Sequence, residues 1–213
     1  MSVVGMSSPD AAATTLNART LRMYEHYASE YALLIGDLPD PDRSQWLVRL
    51  RGAVGNGARV LEVGSGSGCD ADYLESLGCH VRRTDATQAF VDIQSQRGHQ
   101  ADLLDVIADD LVLAGQPRYD AIVAMCVLVH VDRPLLPDVL AKILAALRPG
   151  GLFLVSMREG VGDEISSICF TSQWRPGEFE RLSLDAGFVI EGTGRYEDCV
   201  GDVWRTLLCR REA

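Results

Sequence analysis

The sequence predicts a single α/β domain whose sheet is mostly parallel and covered by helices on both faces. Three observations carry the prediction. From residue 59 onward, short runs of β-forming residues alternate with helical patterns, the order expected of parallel βαβ units. The first of these runs is followed at once by Gly64, Gly66 and Gly68. Ahead of residue 59 the apolar spacing is helical.

Residues 1–15 are small and polar and are expected to lie loose, leaving 16–213 as the folded domain. Leu16, Leu21, Tyr24, Tyr27, Tyr31 and Leu34 recur at spacings near three and four, which predicts an amphipathic helix from Leu16 to Ile35. The turn-rich stretch Gly36 to Asp42 ends it, and a second helix follows to Arg51, so that residues 16–52 form a helical cover. Strands are expected at 59–63, 80–85, 99–102, 119–125 and 151–156, with helices at 70–77 and 135–147, the latter stopped by Arg148-Pro-Gly-Gly151. After a loop with Gly160 and Gly162, a helix at 176–186 ends at Gly187. Strands at 188–191 and 204–209 then form a hairpin and complete a seven-stranded sheet in the 59–213 core.

The net charge of −10 repels phosphate backbones and anionic headgroups, which makes nucleic acid and membrane surfaces poor partners. The longest apolar run, Ala121 to Val129, falls well short of the ~20 residues that span a bilayer. The opening residues lack the basic and apolar regions of a secretory signal, and the cysteines show no CxxC pair or Cys/His cluster. A cytoplasmic chain without a metal, monomeric or homodimeric, is therefore expected.

Glycines between a strand and a helix let the backbone approach a ligand closely, and Asp85, at the end of the next strand, is placed to accept both hydroxyls of a ribose. The spacing E-x-G-x-G-x-G lacks the third glycine position of the dinucleotide fingerprint G-x-G-x-x-G, and no arginine closely follows Asp85. That disfavours NAD and NADP and favours a nucleoside carried without a pyrophosphate.

Glu62-Val-Gly-Ser-Gly-Ser-Gly68 resembles the first motif of class I S-adenosylmethionine-dependent methyltransferases, and the likeness runs over about residues 20–210. Tyr24-x6-Tyr31 is similar to the N-terminal helix motif of one small-molecule subgroup, and Asp102-Leu103 to its adenine-binding pair. Leu128-Val-His130-Val, Leu147-Arg-Pro-Gly-Gly151, Arg158-Glu-Gly160 and Ala186-Gly-Phe188 resemble the same subgroup. The resemblance implies a Rossmann-like fold, S-adenosyl-L-methionine as cofactor, and methyl transfer to an O, N or C nucleophile of a small molecule. It implies that Gly64, Gly66 and Gly68 pass close to the methionyl portion, with Glu62 on its ammonium group, the backbone of Met125 and Cys126 beside it, and Ser65 and Asp70 also binding the cofactor. Asp85 and Ala86 would meet the ribose, Asp102 and Leu103 the adenine, and Tyr24 and Tyr31 would cover the cofactor. Ser65 and Ser67 depart from the cysteine and proline common in the motif, and Cys69 from a larger residue.

Each reading has a plainer counterpart. Asp85 is also a good helix N-cap, Asp102-Leu-Leu-Asp105 offers two carboxylates, and the tyrosine stripe also suits a core. His130 stands where substrates sit in open α/β sheets and is the candidate general base or orienting group, or else a packing residue. Arg158 and Glu159 fit a substrate rim or a surface ion pair, Trp174 and Trp204 a core. The N-terminal helices and Val161 to Arg175 are expected to build the substrate pocket. A protein of this fold using the cofactor for a non-methylating reaction such as a cyclisation, or as a binding module, stays open.

Overall fold

The computed structural model describes residues 9–165, 169–198 and 200–212. Helix α1 (Pro9–Ile35) starts earlier than expected, so residues 9–15 of the supposedly loose N-terminus are helical. Pro9 suits the first turn, where its missing N–H costs nothing, and the alanines after it are the best helix formers. Residues 1–8 lie outside the described residues. Helix α2 (Pro41–Val54) is capped by the Asp40 carboxylate, which accepts from the Arg43 amide at 2.9 Å, and it ends at Gly55 with φ 89°.

The core then runs β1 (Arg59–Val63), α3 (Cys69–Ser76), β2 (His80–Asp85), α4 (Gln88–Gln96), β3 (Ala101–Leu103), β4 (Tyr119–Ala124), α5 (Leu136–Ala146), β5 (Leu147–Glu159), β6 (Gly162–Ile165), β7 (Phe170–Trp174), α6 (Glu178–Asp185), β8 (Phe188–Glu197) and β9 (Val203–Arg211). Strands β1 to β5 are parallel in the order β3-β2-β1-β4-β5. β9 runs antiparallel beside β5, Leu154 opposite Leu208, and β8 pairs with β9. The order reverses at β1 and β4, the place where open sheets of this kind leave a crevice at their carboxyl ends.

Nine strands are found among the described residues, against seven expected. The added pair is the β6–β7 hairpin, whose β7 runs parallel to the far end of β5 with Arg158 opposite Gln173. β6 is exposed along its whole length and has no apolar alternation to betray it.

Side chains alternate between the faces and make two cores. Leu61, Ile122, Phe153 and Leu207 meet α5 and α6 on one side through Val139, Leu140, Ile143 and Phe179. Val60, Val123, Leu154 and Leu208 meet Leu47 and Leu50 of α2 and Leu74 of α3 on the other. Burying each such side chain contributes roughly 1.5–3 kcal/mol, which fixes the sheet that carries the crevice. α1 lies across that crevice, with Tyr24 packed on Phe90 of α4 at 5.9 Å between ring centroids and Thr20 bonded to the amide of Phe170 in β7.

Candidate functional site

The glycines after β1 are needed for different reasons. A Cβ on Gly64 would lie 2.2 Å from Val127 Cγ2, and one on Gly68 2.8 Å from both Arg83 and Gln94, while one on Gly66 would meet nothing and would project into open cleft. All three have positive φ, which other residues adopt only with strain. The loop is clamped through its amides: Ser65 N donates to the Thr84 carbonyl and Gly66 N to the side-chain Oδ2 of Asp85, both at 2.8 Å. Ser65 Oγ accepts in turn from Thr84 N at 3.1 Å.

Asp85 Oδ1 accepts from Thr87 N at 2.9 Å, so its carboxylate orders both the glycine loop and the start of α4 while lining the cleft. Burial raises its pKa and the two amide bonds work against that rise. With roughly four acceptor positions on a carboxylate, two amide bonds leave capacity for a ligand.

Glu62, at 3% exposure, has one carboxyl oxygen with no partner. Burial, and then the charge of Asp70, push its carboxyl up to about 8. Arg43 reaches in from α2, with Nη1 3.4 Å from Asp70 Oδ2 and Nη2 3.6 Å from Cys126 Sγ, and its Nε has no hydrogen-bond partner. Burial works against its charge, but the carboxylates of Asp70 and Asp40 help to hold the guanidinium above its ordinary pKa. Cys126 has φ 59°, the single positive value on a non-glycine among the described residues, and its amide donates to Ser156 Oγ at 2.8 Å. Such a backbone costs of order 1–3 kcal/mol and marks a place where the surrounding structure dictates the turn.

Two clefts meet here. The first is lined by Glu62, Gly64, Ser65, Gly66, Asp70, Asp85, Ala86, Met125 and Cys126. The second is walled by Arg158, Thr171, Tyr196, Glu197, Asp198 and Trp204 from the strands beyond β4. Tyr24, Tyr31, Ile35, Arg43, Cys126 and His130 line both. Tyr24 and Tyr31 stack edge to face at 5.4 Å.

Of the residues singled out in the sequence, Asp102 and Leu103 are not brought to the cleft. Asp102 is held by Arg82 at 2.7 Å, Leu103 is exposed, and Leu104, Asp105 and Val106 line the cleft in their place. Strand β3 ends at Leu103, so the chain turns into the crevice only after the motif. Gly68 shapes the loop from behind, against Arg83, without lining either cleft. Arg158 pairs with Glu164 and Asp202 and also lines the second cleft, whereas Glu159 pairs with Arg195 and Arg205. Trp174 is buried, but Trp204 is half-buried in the second cleft. Arg43 was missed, since nothing in the sequence of α2 distinguishes it from its neighbouring arginines Arg49 and Arg51. Asp72, Glu75 and His99 bring three ligand atoms within 4.8 Å of one another away from the clefts, but Arg83 already pairs with Asp72 and Glu75 at 2.7 and 2.6 Å.

A family model described as a methyltransferase domain matches residues 61–153. A ubiquinone biosynthesis O-methyltransferase of Paraburkholderia phytofirmans is 32% identical over 165 residues, which cover 71% of the chain and 70% of that relative. The chain spans about half the length of several other curated relatives, 50% for a namesake from Maricaulis maris and 41% for one from Cereibacter sphaeroides. Among solved structures, the 1,6-didemethyltoxoflavin-N1-methyltransferase of Burkholderia thailandensis, with 1,6-didemethyltoxoflavin and S-adenosylhomocysteine bound, superposes with a TM-score of 0.75 at 20% identity, covering 100% of this chain and 94% of that one. The [4+2]-cyclase SpnF superposes with a TM-score of 0.70 at 17% identity, covering 90% and 94%.

Proposed function

The chain belongs to the class I S-adenosylmethionine-dependent methyltransferase family, and from that premise we propose that it binds S-adenosyl-L-methionine in the first cleft and methylates a small molecule held in the second. The observation that carries this reading is the unpartnered oxygen of Glu62, a buried carboxyl facing a cleft and lacking a cation. Arg43, Glu62 and Asp70 are a charge set suited to an amino-acid zwitterion, the carboxyl of Glu62 for the ammonium group and the guanidinium of Arg43 for the carboxylate. Gly66 leaves open the space a side chain would fill, and Asp85 retains acceptor capacity for ribose hydroxyls. Leu104 and Asp105 take the adenine role expected of Asp102 and Leu103.

When bound, the cofactor supplies a methyl group already activated by its sulfonium, so the protein's part is binding, orientation and exclusion of water. Tyr24 and Tyr31 on α1 close the cleft, and alignment of acceptor and methyl group is the main source of rate. The net charge of −10 supports a metabolite over a nucleic acid as acceptor, and the lack of a disulfide among the described cysteines suits the cytoplasm.

A non-methylating reading stays as the second, because a protein named a cyclase shares the fold. Mass spectrometry of the purified protein should detect carried-over S-adenosylhomocysteine, and a labelled-methyl screen of phenols and amines should yield a methylated product. Calorimetry showing no binding of either nucleoside would overturn the proposal, and binding without methyl transfer would favour the second reading.

A further inference from the structure

His130 closes a single 3-10 turn, Leu128–His130, and both of its ring nitrogens are engaged. Nδ1 lies 2.7 Å from the carbonyl oxygen of Phe170, and Nε2 lies 3.0 Å from the hydroxyl oxygen of Tyr24. A carbonyl oxygen can only accept, so Nδ1 carries the proton. In the neutral ring Nε2 is then a lone pair, and the Tyr24 hydroxyl donates to it. Phe170 is itself fixed, because it opens β7 and its amide donates to Thr20 Oγ1 at 3.1 Å, one turn before Tyr24 on α1. The tautomer of a buried histidine is thus set by a backbone atom, and its basic nitrogen points at the hydroxyl of a residue that lines both clefts.

Resting on the methyl-transfer reading, we propose that Tyr24 takes the proton from the methyl acceptor and passes its own to His130, so that the acceptor is a hydroxyl or an amine N–H and not a carboxylate. The acceptor heteroatom bonds to the methyl carbon as the carbon–sulfur bond breaks and its electron pair returns to sulfur. The acceptor proton moves to Tyr24 Oη while the Tyr24 proton moves to His130 Nε2. A methylated acceptor, a neutral thioether and an imidazolium result. The positive charge that began on sulfur ends on the ring, so the buried site neither gains nor loses charge. In a desolvated pocket, that avoids the penalty of creating an unpaired ion.

Burial raises the pKa of Tyr24 and lowers that of His130, so the phenol stays protonated and the ring stays neutral until the reaction. The two protons therefore move together, with no tyrosinate between. The other ionisable groups facing the pair are Tyr31 on α1, Arg43 on α2, Asp85 after β2, Cys126 after β4 and Cys169 before β7. A guanidinium cannot accept a proton, burial keeps Tyr31 a phenol, and His130 Nε2 is the basic atom within hydrogen-bond distance of the Tyr24 hydroxyl. Tyr24 is the catalytic residue in this scheme and His130 a positioning residue and proton store.

Histidine nitrogen NMR on the ligand-free protein tests the geometry. The chain has four histidines, and His130→Asn identifies the signal of interest. We expect the Nδ1–H tautomer with an Nε2 signal that shifts in Tyr24→Phe; an Nε2–H tautomer overturns the relay, because that nitrogen could not receive a proton. The second arm is labelled-methyl transfer to catechol, phenol, benzylamine and benzoate. The hydroxyl and amine probes should be methylated, with Tyr24→Phe and His130→Asn each lowering kcat by about 100-fold or more at unchanged KM and removing the acidic limb of the pH profile. Full turnover in Tyr24→Phe with an unchanged profile, or methylation of benzoate alone, overturns it. Where no probe is methylated, the tautomer decides. S-adenosylhomocysteine binding by calorimetry separates the two proposals: retained binding with the wrong tautomer sinks the relay alone, and absent binding in the unmutated protein sinks the methyl-transfer reading.

Discussion

The first cleft takes its floor from residues 62–70 and 84–94, two short stretches laced by bonds from the loop amides, Ser65 N to the Thr84 carbonyl and Gly66 N to the Asp85 carboxylate. The second, and the seam it shares with the first, are walled by side chains gathered across the chain: Tyr24 and His130 are 106 positions apart, Arg43 and Cys126 83, and Cys126 and Tyr196 70. A site made of backbone conformation admits few substitutions, since dihedrals and close approaches leave no room. A site made of side chains on a fixed frame can change what it accepts while the frame persists. On the proposed assignment of cofactor to the first cleft and acceptor to the second, the glycine loop and the outer wall of the second cleft should respond to mutation on different scales.

The largest effect is expected in the loop. Gly64→Ala combines a strained left-handed residue with a collision against Val127, at ~1–3 kcal/mol for each, and should lower Tm by on the order of 10 °C. Gly66→Ala carries only the backbone part but sends its methyl group into the cleft. It should therefore fold with a smaller loss of Tm and lose S-adenosylhomocysteine affinity at least tenfold by calorimetry, about 1.4 kcal/mol or more. Equal Tm losses in the two variants would break the account of why each glycine is needed.

Glu62 gives the next effect and a pH window. Its folded carboxyl titrates at about 8 against an ordinary 4.5, so the stability it contributes to the ligand-free protein is fully present below about pH 4.5 and is lost as pH rises through about 8. Near pH 7 the group is largely protonated, and an arriving ammonium should expel that proton. Calorimetry in buffers of different ionisation enthalpy should show proton release on cofactor binding, and affinity should tighten from pH 6 to pH 8. Glu62→Gln should abolish both dependences and make the ligand-free protein more heat-stable at pH 8 than the wild type. A cofactor affinity flat across that range would remove Glu62 from the ammonium site.

The rim of the second cleft should yield less. Asp198 holds the turn between β8 and β9, accepting from the amides of Val200 and Asp202 and from Trp204 Nε1 at 2.9 to 3.0 Å. Asp198→Ala forfeits three exposed or part-buried hydrogen bonds, each worth ~0.5–1.5 kcal/mol when formed in isolation and less where water can replace the partner. Amide exchange should quicken at Val200 and Asp202 while cofactor affinity stays within about twofold of wild type, a change of ~0.4 kcal/mol. A loss of cofactor affinity would show that the clefts are not independent.

What the sequence revealed follows the same division. The first cleft was legible because Glu62-x-Gly64-x-Gly66-x-Gly68 and the terminal carboxylate of β2 are local patterns tied to a strand, a turn and a helix. Arg43 was illegible because its meaning lies in Asp70 and Cys126, both remote in sequence. The β6–β7 hairpin was illegible because its stability comes from pairing with β5 and not from its own composition. His130 and Tyr24 were visible singly, but their bond and the carbonyl that orients it required the hairpin.

The smallest effect tests where the motif and the geometry part. Asp102-Leu103 suggested the adenine partner, yet Asp102 lies under Arg82, whose guanidinium also bonds Leu111 O at 2.9 Å and Tyr119 Oη at 3.1 Å. That ion pair is partly open to solvent, with 15% and 32% of the two side chains exposed, so it contributes on the order of 1 kcal/mol or less. Asp105, three residues later, lines the cleft, and its Oδ1 accepts from Ile107 N at 2.9 Å while its other oxygen has no such bond to that turn. An exocyclic amine needs an acceptor that faces it, which Asp105 offers and Asp102 does not. Asp102→Asn should therefore leave S-adenosylhomocysteine affinity unchanged within calorimetric error and cost a degree or two of Tm at most, whereas Asp105→Asn should weaken binding several-fold, about 1 kcal/mol. If the asparagine at 102 weakens the cofactor and the one at 105 does not, the end of β3 must shift toward the cleft on binding, and the first cleft would then owe part of its shape to its ligand.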